Sequence, residues 1–160
     1  MQRIYTGYYM AAVLLLLVVT ANSASAHCEI PCGIYNDEMR FDMISEHITT
    51  IERSMRMIEE LLKEEQTDHN QLVRWINNKE KHANEIQNIV SQYFMTQRIK
   101  PAGEDDDVAY KIYVMQITLL HRMLIHAMKA KQNIDLATME DLRNILEEFR
   151  TLYFSGKKKR

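Results

Sequence analysis

Residues that punctuate a chain are scarce: only four Gly and two Pro occur in 160 positions. A sandwich or barrel of many short strands needs a turn residue every few positions, so an all-β architecture is excluded. Strong charge of one sign is missing too. The formal net charge is −2, which leaves no basic footprint for a nucleic acid. The longest strongly apolar run, Met10 to Val19, has ten residues, well short of the ~20 that cross a bilayer. Cysteine is limited to Cys28 and Cys32, too few and too close together for a disulfide framework.

What remains is 46 % hydrophobic and 26 % charged, a balance that suits one compact domain. The opening segment reads as a targeting sequence. Arg3 supplies a positive start, the apolar run follows, and Ala24-Ser25-Ala26 is an A-x-A cleavage site. Residues 1–26 are therefore expected to be removed by a processing protease that cuts between Ala26 and His27. The protein is expected to be exported (secreted, periplasmic or in an organelle lumen), with no stable membrane association after cleavage. Removing the segment takes Arg3 with it and moves the net charge from −2 to −3. At the other end, residues 157–160 (Lys-Lys-Lys-Arg) form a short basic tail, read as a solvated terminus.

Between these ends, apolar residues recur at helical spacing. Ile44, Ile48, Ile51, Met55, Ile58 and Leu62 predict a helix over 37–63, with Asn36 as its N-cap and Asp37 and Glu38 at its positive end. Leu72, Ile76, Ala83, Ile86, Val90 and Tyr93 predict a second over 68–97. The stretch 99–107 (IKPAGEDDD) breaks the pattern. A third helix is expected over 108–131, on Ile112, Ile117, Leu120, Met123, Leu124, Ala127 and Met128. A fourth, over 138–154, carries Leu142, Ile145, Leu146, Phe149 and Leu152, with Gly156 as its stop. Four amphipathic helices with short links predict an all-α fold, an antiparallel four-helix bundle over 36–156 preceded by an N-terminal hook over 27–35. The eleven Met are read as core filling outside the leader. His47, His69, His82, His121 and His126 are read as packing or surface residues; His121 and His126 stand five apart, not the four that aligns two ligands on one helical face.

The chemistry concentrates in His27-Cys28-Glu29-Ile30-Pro31-Cys32-Gly33-Ile34-Tyr35. Thiolates are soft donors suited to transition metals, and imidazole suits several of them. Cleavage before His27 would add a free α-amine with an unperturbed pKa of about 8. That amine, the amide nitrogen of Cys28 and the thiolates of Cys28 and Cys32 could form a square of two nitrogens and two sulfurs. Such a square is favoured by nickel(II) or copper(II) and disfavoured by zinc. The His27 imidazole could approach from above the plane, and Tyr35 is close enough in sequence to fold over the open face. Pro31 restricts the turn, and Gly33 permits a tight path after the second thiolate. A disulfide between the two cysteines would enclose few residues, stabilise the fold modestly and compete with metal loading. A non-catalytic exported nickel- or copper-binding helical protein is the alternative reading of the same donors.

The pattern H-C-x-x-P-C-G-x-Y, carried by His27, Cys28, Pro31, Cys32, Gly33 and Tyr35, resembles the nickel superoxide dismutase family. Glu29 stands where that family often has Asp, and Tyr93-Phe94 is similar to a Tyr-Phe pair near the end of its second helix. The resemblance implies one nickel per subunit, with His27, Cys28 and Cys32 as metal ligands and a homohexamer as the assembly. It implies conversion of superoxide to dioxygen and hydrogen peroxide by nickel(II)/nickel(III) cycling, with thiolate and amidate donors making the oxidised state reachable. Tyr35 and Tyr93 would act beside the metal, ordering water and restricting anion access. The family also supports its axial imidazole with an acid on the first helix and a cation on the second. For these, Asp42, Glu38 and Glu46 compete on one side and Arg74, Lys81 and His82 on the other.

Overall fold

The computed structural model describes residues 36–157. Helix α1 spans Asp37–Leu61 and begins where the Asn36 side chain accepts the backbone N–H of Glu38 at 3.0 Å. Helix α2 spans His69–Asn88 behind the Asp68 cap and continues without a break into a π-helical segment, Ile89–Arg98. Helix α3 spans Asp107–Gln132, capped by Asp106, and α4 spans Ala137–Lys157, where Asp135 accepts the Ala137 N–H at 3.0 Å. Each such cap is worth about 1 kcal/mol. Each helix packs on its neighbours in sequence and α1 closes on α4, the connectivity of an antiparallel four-helix bundle. Among the described residues there is no strand, and no helix is long and apolar enough to cross a membrane.

The predicted stripes form most of the core, and the departures have local causes. Ile44, Ile48, Ile51, Met55 and Ile58 of α1 are buried, joined by Phe41. Leu62 is 56 % exposed because the helix ends at Leu61, whose side chain turns inward instead. Ala83 and Ile86 of α2 and Val90 and Tyr93 of the π-helical segment are buried, but Ile76 of α2 is not. The buried residue at that level is Lys79, whose ammonium donates to the carbonyls of Ala130 and Lys131, both at 2.6 Å. These carbonyls close the C-terminus of α3, so the residues of α2 preceding Lys79 extend past the end of their neighbour. Leu119, Leu120, Met123, Ala127 and Ala130 form the buried face of α3, while Met128 is exposed. Gly156 does not stop α4, which runs through it to Lys157. A glycine costs a helix about 1 kcal/mol relative to Ala and does not by itself end one.

The π-helical segment could not be anticipated from periodicity. Its signature is the reach of five residues: the Ile99 N–H bonds the Phe94 carbonyl at 2.9 Å. Thr96 Oγ1 and Gln97 Nε2 likewise donate to the carbonyls of Ser91 and Gln92. Phe94 from this segment enters an aromatic cluster at the end of the bundle where α1 begins. The Phe41 ring lies 5.0 Å from that of Phe94, 5.4 Å from Phe149 and 5.6 Å from Tyr153. Edge and tilted contacts at these distances add to the stabilisation from burial alone.

Candidate metal centre

The ligands expected from the sequence, His27, Cys28 and Cys32, lie outside the described residues, as does Tyr35. The described residues nevertheless narrow where a metal could sit. Among them, no group of three or more His, Cys, Asp or Glu side chains could hold an ion. Both thiols of the whole chain lie at positions 28 and 32. A thiolate-ligated metal therefore has one possible address, and two thiols next to an imidazole form a donor set that suits nickel.

The described residues that follow residues 27–35 in sequence are those at the start of α1. Asp37 opens α1 two positions after Tyr35, and its side chain is 9 % exposed. A buried carboxylate is costly unless its oxygens are hydrogen-bonded, and here two helical segments supply three donor side chains. Tyr93 of the π-helical segment donates its hydroxyl to Oδ1. Arg98, at the end of the same segment, donates Nε to Oδ1 at 2.6 Å and places Nη2 2.5 Å from that oxygen. Tyr153 of α4 donates to Oδ2 at 2.9 Å. The guanidinium groups of Arg40 and Arg98 also lie over the Tyr93 ring, 5.1 and 5.4 Å from its centroid, within cation–π range.

This arrangement sets the protonation of its members. Burial, then the hydrogen bond to and the charge of Asp37, push the Tyr93 phenol well above its ordinary value. It is a neutral donor whose proton is committed to Asp37. Burial works against the charged form of Arg98, but the hydrogen bond to and charge of Asp37 outweigh it and raise its pKa further. Two concavities flank the cluster. One, of about 260 Å³, is lined by Tyr93, Arg40, Glu85 and Gln92. The other, of about 560 Å³, is lined by Arg98, Lys100, Tyr113 and Tyr153.

Tyr93 is thus placed at the start of α1. Of the six competing support residues, Glu46 acts on His82 through its charge, against the stronger lowering of the imidazole by burial and Lys81, and no ion pair joins any two of them among the described residues. Glu38 and Asp42 both face Arg150 of α4, the latter at 3.2 Å. Lys81 and Arg74 are exposed. His82 faces His47 across the α1–α2 contact, Nδ1 to Nδ1 at 2.8 Å. Among the described residues, the acid on α1 that meets a cation from the α2 side is Asp37, with Arg98. Sequence reasoning missed both, because Asp37 had a sufficient role at the helix N-terminus and Arg98 fell beyond the expected helix end.

Fold and sequence together define a small helical-bundle protein with its two thiols gathered in one N-terminal segment. A family model for nickel-containing superoxide dismutases matches residues 22–157, the segment 27–35 included, and the chain belongs to that family. It is an oxidoreductase whose metal is nickel and whose substrate is superoxide. No curated protein and no solved structure matches the chain.

Proposed function

We propose that the working enzyme begins at His27 and holds one nickel ion per chain. The donors are the liberated α-amine and imidazole of His27, the amide nitrogen and thiolate of Cys28, and the thiolate of Cys32. Bound there, nickel supplies one-electron chemistry between its +2 and +3 states. Overall, two superoxide anions and two protons give one dioxygen and one hydrogen peroxide. The observation that carries this reading is the confinement of both thiols to residues 28 and 32, directly behind an A-x-A cut and inside the family match.

The chain's own groups divide the remaining work. Tyr93, its proton held on Asp37, is a fixed neutral wall that restricts anion access rather than a proton donor. Tyr35 is assigned the ordering of water beside the metal. We also propose export by the leader and assembly as a homohexamer. Val108, Val114 and Met115 support assembly: they project from α3 with 69, 42 and 49 % of their surface exposed, apolar area that a neighbouring subunit would cover.

N-terminal sequencing of the native protein together with metal analysis tests the proposal. A chain beginning at His27 with about one nickel, and loss of activity when a single residue is added before His27, are the expected results. Copper without turnover would identify a carrier instead. Full activity from a chain with a blocked or extended terminus would refute the ligation.

A further inference from the structure

We propose that Asp37 is a positioning residue for the metal hook, and that the π-helical segment 89–98 exists to complete its clamp. This rests on reading residues 27–35 as the nickel-binding segment. Tyr93 and Arg98 are five residues apart and both donate to the same oxygen of Asp37. On an α-helix, residues five apart point about 140° away from each other. An i→i+5 turn brings them to nearly the same face. Regular helix over this stretch would therefore give Asp37 one of these two donors but not both. Tyr153 then closes the second carboxylate oxygen from α4, so the first residue of α1 is held by two other parts of the bundle.

Stability alone gives no reason for this construction. A buried ion pair is commonly replaceable by apolar side chains of similar volume at no loss. The aromatic cluster of Phe41, Phe94 and Phe149 beside it already packs that end of the bundle. What the clamp adds is a fixed point of departure for the chain that precedes Asp37, with the Tyr93 hydroxyl fixed to the same point. A short chelating segment attached to a frayed helix end would have to lose that freedom whenever the metal bound. Attached to a clamped end, it starts with much of that freedom already removed.

The test uses the cleaved, nickel-loaded protein carrying Asp37→Asn or Arg98→Gln. Lys79→Met serves as a control that weakens the bundle away from this cluster. Release of nickel(II) to excess EDTA and the nickel–thiolate absorption band are measured on protein whose helicity matches the parent by circular dichroism. Both variants are expected to release nickel roughly tenfold faster or more and to shift the band, while Lys79→Met does neither. Parental release rates in folded Asp37→Asn and Arg98→Gln overturn the proposal, and so does equally fast release from Lys79→Met. Should Asp37→Asn fail to fold, Arg98→Gln decides, since it leaves both tyrosine donors on Asp37. Cys28→Ser separates the two readings. It must hold no nickel, and nickel retained there refutes the hook itself rather than the clamp.

Discussion

Replacing Lys79 by Met probes the most deeply buried charged side chain among the described residues. The side chain is 4 % exposed, and its ammonium donates to the carbonyls of Ala130 and Lys131 at 2.6 Å. Both belong to the last turn of α3, whose carbonyls have no partner within their own helix and carry the negative end of its dipole. Methionine matches lysine in length and shape, so little cavity is created. Lost are two charge-assisted hydrogen bonds to carbonyls, worth about 1.5–3 kcal/mol each, and a longer contact with the partly exposed carboxylate of Glu80 at 3.4 Å that adds little. Against this, the variant no longer holds a cation out of water, a cost of several kcal/mol. The difference is a net destabilisation of about 2 kcal/mol, because the two carbonyls stay buried without donors. With a urea dependence of about 1–3 kcal/mol per molar, the midpoint of metal-free protein should fall by roughly 1 M. Far-UV circular dichroism across a urea series reads this directly. A midpoint equal to or above that of the parent would refute the reasoning, since burying the cation would then cost more than its two bonds return.

Phe41→Ala removes the ring on which Phe94, Phe149, Tyr153 and Phe154 converge and should cost about 4 kcal/mol; a loss under 2 kcal/mol in the same urea assay would mean that the cluster closes over the gap. The His47–His82 pair predicts acid sensitivity. Burial first, then His82 for His47 and Lys81 for His82, lower both native pKa values against the opposing pull of Glu46 and Glu85. Its contribution is complete above about pH 6.5 and is lost as pH falls through the lowered native values, because the unfolded chain takes up protons first. The His47→Gln/His82→Gln double variant, in a Cys28→Ser/Cys32→Ser background that excludes metal linkage, should show a flatter stability profile below pH 6.5; parallel profiles would contradict the assignment. Tyr93→Phe predicts the opposite limb. Its phenol is raised in the folded state, so its contribution is present below about pH 10 and lost as pH rises further. The variant should therefore lose less stability than the parent between neutral and alkaline pH, measured by thermal unfolding.

The four helices were legible because each buries a stripe long enough for its 3.6-residue period to stand out. The cap at Asn36 followed from side-chain chemistry two residues away. Lys79 also left a sign, since it stands in register between Ile76 and Ala83; a lysine in an apolar stripe implies a partner that periodicity cannot name. The clamp left none. The burial of Asp37 depends on Tyr153, 116 positions later, and on a change of helical winding that no residue type announces. His47 and His82 are each ordinary alone and become a pair only when the α1–α2 hairpin brings positions 35 apart together. The proposed metal donors are the reverse case: the chemistry that suggests them is entirely local, so residues 27–35 were read without any fold at all.

The contacts of α4 with the first turn of α1, Tyr153 on Asp37 and Arg150 on Glu38, have a practical consequence for anyone handling the protein. A purification handle fused behind α4 would follow directly from the end of the bundle where α1 begins, two residues after the proposed metal segment in sequence, and its histidines could compete for nickel. The exposed connection between α1 and α2, around residues 62–68, lies at the opposite pole and is the better place for a label.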